Sequence, residues 1–231
     1  MIKEKIAVYG DSFAVHNKDL KGQSWLSYLE KEYDIDVYGA AASNLFYSYK
    51  NFMENYKKYN KNIFIFTSTD RVSTSRHHFG GLVAQKYWLN NDRPDYTDND
   101  KRDARRIYSY MSSVLTDDFV KEQYDTYHIL MTERILNTNT NVLLIPAFPQ
   151  PGNNFKNYKT LIDIYGMENR FWKRTRNFHD LRQCHLTEEN NKVLADQINQ
   201  ELITVNGPTK IKLDLSMYVE PTDLEKYRIE K

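Results

Sequence analysis

Three unbroken apolar runs, Ile6-Ala7-Val8-Tyr9, Ile63-Phe64-Ile65-Phe66 and Val142-Leu143-Leu144-Ile145, constrain this chain more than any other feature. In a strand, successive side chains point to opposite faces, so a short run without alternation means that both faces are covered. Amphipathic stretches lie between the runs. Trp25, Leu26 and Leu29 are at helical spacing within 22–33, and Leu45, Tyr49, Phe52 and Tyr56 within 44–59. The segment 119–137 is expected to form the longest helix, with Ile129, Leu130 and Ile135 inward. A short strand is expected at 35–38, ending at Gly39. The last helix is placed at 188–203, with Thr187 as N-cap and Glu188 and Glu189 in its positive first turn. Strands alternating with helices predict an α/β domain built on a parallel sheet with helices on both sides.

The chain has 231 residues, which suits one such domain. Residues 71–118 and 149–178 interrupt the rhythm. The first is polar and aromatic-rich, and it is read as an insertion that forms a lid or a substrate wall. Residues 1–204 are taken as the domain and 205–231, with Asn206-Gly207-Pro208 and a Lys-rich stretch, as a C-terminal appendage. The 32 basic and 31 acidic residues leave a net charge of +1, which gives no electrostatic case for nucleic acid as a partner. Mean hydropathy is −0.74, and no stretch approaches the roughly 20 apolar residues of a membrane span. Charges in the first ten residues break the apolar run that a signal peptide needs, so a cytoplasmic location is expected. The single cysteine, Cys184, excludes an intramolecular disulfide and argues against a thiolate zinc site. His77-His78 with Asp92, Asp95 and Asp98 lacks the spacing of a metal site, so no metal and no cofactor are expected.

Two constellations carry chemistry. Gly10-Asp11-Ser12 directly follows the first apolar run, where the loops of an open parallel sheet form a ligand crevice. A serine there can face the crevice, with its own N–H as an oxyanion donor. The second is Phe178-His179-Asp180-Leu181-Arg182-Gln183-Cys184-His185-Leu186-Thr187, which ends where the last helix begins. A serine hydroxyl becomes nucleophilic when an imidazole takes its proton, and the imidazole needs a third group to orient it. Ser12, His185 and Asp180 supply nucleophile, base and acid.

Gly-Asp-Ser after the first strand, with His-Leu-Thr ahead of the last helix, resembles the first and last sequence blocks of the SGNH (GDSL) hydrolases. The resemblance implies a flavodoxin-like three-layer α/β/α fold and cleavage of esters or related acyl bonds. It makes Ser12 the nucleophile and an oxyanion donor, and His185 the base that later protonates the leaving group. The family's second block supplies a backbone donor after the second strand, and here either Gly39 or Ala42 occupies that place. Its third block has an Asn amide where this chain has Thr69, and Asn44 can substitute. Losing one oxyanion donor costs about 10²–10³ in rate. The family's acid normally lies three residues before the histidine, where Arg182 stands, so Asp180 reaches His185 only through a bulged loop. Without it a Ser-His dyad would operate.

Around this core, Asp11, Arg71, His78 and Trp88 are candidate substrate contacts. Arg71 either binds a substrate carboxylate or pairs with Asp70. The segment from Ser73 to Gly80 follows the third strand and so overhangs the same crevice. Tyr87, Trp88 and Tyr96 either stack on sugar rings or pack the insertion. The preferred reading is a hydrolase of a small-molecule or carbohydrate ester, an O-acetyl ester first. The alternative is a domain that kept the fold, lost turnover and serves as a binding or structural module. A nucleotide or phosphate binder is the third reading, with Gly10-Asp11-Ser12 as an anion-binding turn, but it leaves His185 without a purpose.

Overall fold

The computed structural model describes residues 2–16, 24–40, 43–69, 71, 97–113, 118–164 and 186–219. Five strands form one sheet: β1 (Glu4–Gly10), β2 (Tyr33–Gly39), β3 (Lys61–Phe66), β4 (Val142–Pro146) and β5 (Pro208–Lys210). Their order is β2-β1-β3-β4-β5, and every neighbouring pair is parallel. Val8 is opposite Val37 on one side and Ile63 on the other, and Ile63 is opposite Leu143. Among the helices that accompany the strands are α1 (Trp25–Leu29), α2 (Leu45–Asn55), α3 (Asp98–Ser113), α4 (Asp118–Leu136) and α5 (Glu188–Thr204).

The unbroken apolar runs are explained by two separate cores. Ile6, Val8, Ile63, Ile65, Leu143 and Ile145 point to one face, where Leu26 and Leu29 of α1 and Leu194, Ile198 and Leu202 of α5 cover them. Ala7, Tyr9, Phe64, Phe66, Val142 and Leu144 point to the other face, against Leu45, Tyr49 and Phe52 of α2 and Ile135 of α4. The result is the expected α/β architecture, a parallel sheet between helical layers.

Several expectations change. The first helix was expected over 22–33, but α1 stops at Leu29 because Tyr33 already enters the sheet edge and the first core. The second was expected to reach 59, but it ends at Asn55 and passes into a 3₁₀ turn, Tyr56–Lys58. Leu130 is not inward: it is 55% exposed. The buried face of α4 runs through His128, Thr132 and Ile135, spaced by four and three, and Leu130 lies well round the helix from it.

Residues 205–219 are not an appendage. Gly207 takes φ of +69°, and its carbonyl accepts from Val142 N, which delivers Pro208–Lys210 to the sheet as β5. Proline has no N–H to give to a ladder, and an edge strand tolerates that loss. Beyond β5, Ile211, Leu213 and Tyr218 are buried in the first core. Within the expected insertion, Asp98–Ser113 forms α3, a helix that the sequence reading did not anticipate.

Two successive amides pin α5. Asn190 exchanges two side-chain hydrogen bonds with the backbone of Val219, at 2.8 and 2.9 Å. Asn191 accepts from Trp25 N at 3.0 Å and donates to the carbonyls of Leu186 and Thr187 at 2.8 and 3.0 Å. Trp25 N is an unsatisfied first-turn donor of α1, so a side chain from another helix caps it.

Candidate active site

In a sheet of order 2-1-3-4-5, connections leave β1 and β3 in opposite directions, and a crevice opens between their carboxyl ends. Gly10-Asp11-Ser12 emerges there. Asp11 is fully buried and N-caps the 3₁₀ turn Ser12–Ala14, its Oδ1 accepting from Phe13 N at 3.1 Å. Its Oδ2 accepts from Thr67 Oγ1 and from Arg71 Nη1, both at 2.6 Å. One carboxylate therefore joins the loop after β1 to the loop after β3. A carboxylate stripped of water is tolerated only with such compensation, here an ion pair and two further hydrogen bonds.

The bracing extends to the loops after β2 and β4. Arg71 Nη1 also donates to the Ser43 carbonyl at 2.9 Å, while Ser43 Oγ and Ala40 N both donate to the Gly10 carbonyl. The Arg71 guanidinium lies over the Phe148 ring, 5.3 Å from its centre. Gln150 Nε2 donates to the carbonyls of Thr67 and Phe148, at 2.9 Å each. Two glycines let the serine turn lie flat on the strand ends. A Cβ on Gly10 would stand 2.8 Å from Ala14 Cβ, and one on Gly39 would stand 2.6 Å from the Ala14 carbonyl oxygen.

Ser12 is the first residue of the turn and half-buried, and its hydroxyl makes no hydrogen bond to any described residue. Asp180 and His185 lie outside the described residues. Leu186 and Thr187, which follow directly, are described. Leu186 is buried in the same core as Phe13 and Trp25. Trp25 Nε1 donates to the Phe13 carbonyl at 2.9 Å, and Trp25 N donates to Asn191, which in turn donates to the Leu186 carbonyl. The residue after Ser12 and the residue after His185 are thus joined through two side chains.

Of the other sequence-predicted residues, Gly39 lies against Ala14, and Thr69 is half-buried in the turn after β3. Asn44 caps α2, its Oδ1 accepting from Tyr47 N at 2.9 Å. Asp11, expected among the substrate contacts, is fully buried and braces the loop through these bonds. Arg71 pairs with Asp11; the alternative partner Asp70 lies outside the described residues, as do Ala42, His78 and Trp88. Sequence reasoning missed Thr67, Ser43, Gln150 and Asn191. The available signal was polar residues directly after buried strands and two adjacent Asn in the first turn of an otherwise apolar-faced helix.

Beside this network, α2 and α4 enclose a cleft of about 370 Å³, with Asn44 and Arg71 in its walls. That volume is within the range of small-molecule sites. Among the described residues no helix is long and apolar enough to cross a membrane. Comparison with protein-family models finds no matching family, and comparison with curated protein sequences finds no match.

Proposed function

We propose that this chain is a serine hydrolase of the SGNH type that cleaves an acyl ester, with Ser12 as nucleophile and His185 as general base. The observation that carries this reading is the clamp from Phe13 through Trp25 and Asn191 to Leu186. It ties the neighbours of both residues into one core at the carboxyl edge of the sheet. A base must come within hydrogen-bond reach of its nucleophile, and this clamp shortens the span that the segment ending in His185 has to bridge.

In this mechanism His185 takes the Ser12 proton as Oγ attacks the ester carbonyl. The backbone N–H of Ser12, with that of Gly39 or Ala42, receives the charge on the tetrahedral oxygen. His185 then protonates the departing alcohol, and water repeats the sequence on the acyl-enzyme. Asp180 orients the imidazole. Thr69 stands where the family has an amide donor, so turnover is expected below that of an enzyme with a full donor set. An O-acetyl ester of a carbohydrate is the preferred substrate class.

The test is hydrolysis of p-nitrophenyl acetate by wild type, Ser12→Ala and His185→Ala, with folding checked by circular dichroism. Loss of rate in both folded variants supports the proposal. Equal rates in all three, with no labelling of Ser12 by a phosphonate probe, would favour the non-catalytic binding module. An unchanged rate in Asp180→Asn would mean a Ser-His dyad.

A further inference from the structure

The cleft between α2 and α4 contains a buried group whose hydrogen-bonding capacity is unused. Asn44 is 2% exposed, and its cap bond to Tyr47 N fixes the carbonyl end of the amide toward the helix. That leaves Nδ2, with two N–H donors, buried and without a hydrogen-bond partner. A buried donor left unpaired is costly, which makes it an indicator of a missing acceptor.

Arg71 lines the same cleft and is 13% exposed. Both of its hydrogen bonds, to Asp11 and to the Ser43 carbonyl, use Nη1. Among the described residues, Nη2 and Nε make none. Arg134, exposed on α4, adds a second guanidinium to the wall and has no ion-pair partner among the described residues. Among the described residues, no Asp or Glu lines the cleft. The remaining described wall holds His128 and is otherwise aromatic and apolar, with Tyr49, Tyr127 and Met131 among its residues. Positive helix ends favour anions, and Asn44 stands at the N-terminus of α2. The unpartnered amide is an independent sign of the same preference.

We infer that this cleft binds a carboxylate carried on a six-membered ring, with Asn44 Nδ2 and the free edge of Arg71 as donors to the carboxylate and Arg134 drawing it in. Two guanidiniums and an unpaired amide, with no carboxylate among the described lining residues, call for an anionic acceptor, and the guanidinium fork matches a carboxylate in shape. The flat aromatic walls suit a ring, either of an acidic sugar or of an aromatic acid. The inference goes beyond the esterase reading and rests on it only for what happens to the ligand after binding.

The experiment separates the two. Full-length Ser12→Ala protein is titrated calorimetrically with glucuronate against glucose, and with benzoate against benzamide, so that no turnover is needed. At least one acid is expected to bind about tenfold or more tightly than its neutral partner, the scale of charge-assisted hydrogen bonds. Which acid shows the preference tells sugar from aromatic ring. Asn44→Asp keeps an oxygen for the α2 cap but replaces the donor with a negative charge, so it should abolish the preference. Should that variant fail to fold, Asn44→Ser keeps a cap oxygen and drops the amide, with the same expected loss. Arg134→Ala, on the exposed face, should weaken binding by about threefold. Equal affinity for each acid and its neutral partner, binding of neither acid, or a preference that survives loss of the Asn44 amide would overturn the inference. A Ser12-independent background rate with p-nitrophenyl acetate would sink the esterase reading and leave this titration readable.

Discussion

Asn191→Ala tests the clamp on which the active-site reading stands. The side chain is 4% exposed and makes three hydrogen bonds. Truncation leaves the Thr187 carbonyl with its other partner, the Asn191 backbone N at 2.8 Å. Trp25 N–H and the Leu186 carbonyl lose the Asn191 side chain, and these residues are 4% and 2% exposed. Each such orphan costs about 1–3 kcal/mol. Alanine returns up to about 0.7 kcal/mol through its better helix propensity. The net expectation is a loss of about 1.3–6 kcal/mol, or about 3–24 °C in Tm for a chain of this size. Urea denaturation measures it, as a lower midpoint with an unchanged slope. Asn199→Ala on the same helix is the control. Its amide oxygen accepts one partly buried bond, from Tyr33 OH at 2.9 Å, worth about 0.5–1.5 kcal/mol. If Asn191→Ala costs no more than this control, the clamp does not hold the two segments together and the reasoning fails.

Three further outcomes are expected. Gly39→Ala places a methyl 2.6 Å from the Ala14 carbonyl oxygen, so the serine turn must shift, at about 1–3 kcal/mol by thermal denaturation; ester hydrolysis should fall with it. Ile211→Ala should cost about 2–4 kcal/mol in the same assay, because Ile211 is fully buried, whereas a side chain on a loose appendage would cost nothing. Asp36 accepts hydrogen bonds from Tyr59 and Lys5, in that order of effect, which holds its carboxyl below the ordinary value. Its contribution to stability is present above the unfolded carboxylate pKa and fades as pH falls through the lowered folded value. Tyr59→Phe should raise the Asp36 pKa in a carbon-detected NMR titration; an unmoved titration would deny the hydroxyl its role.

The fold was legible where residues carried their environment in their own pattern. Ile6 to Tyr9 and Ile63 to Phe66 have no polar alternation because both faces of the sheet are covered, and no tertiary knowledge is needed to read that. Thr187 as N-cap of α5 was equally local, and its hydroxyl accepts from Asn190 N. Pro208–Lys210 was illegible because an edge strand of three residues pairs on one side only and has no apolar run. Leu130 was misjudged because helical phase, not hydrophobicity, decides which face is inward. At the site, Ser12 and the segment after it could be placed from sequence. The ties from Asp11 to Thr67 and Arg71 could not, since they join positions far apart in the chain that become neighbours only when parallel strands align.

The two ends of the sheet differ in how they discourage further growth. At β5, three residues beginning with a proline offer a second chain almost no ladder to extend. At β2 the backbone edge is longer, but Asp34 and Asp36 alternate along it. Asp36 is held by Lys5 and Tyr59, but two copies meeting there would bring their exposed Asp34 carboxylates together, and like charges on facing strands repel. Among the described residues, both borders of the sheet thus give a second copy's strand little to extend.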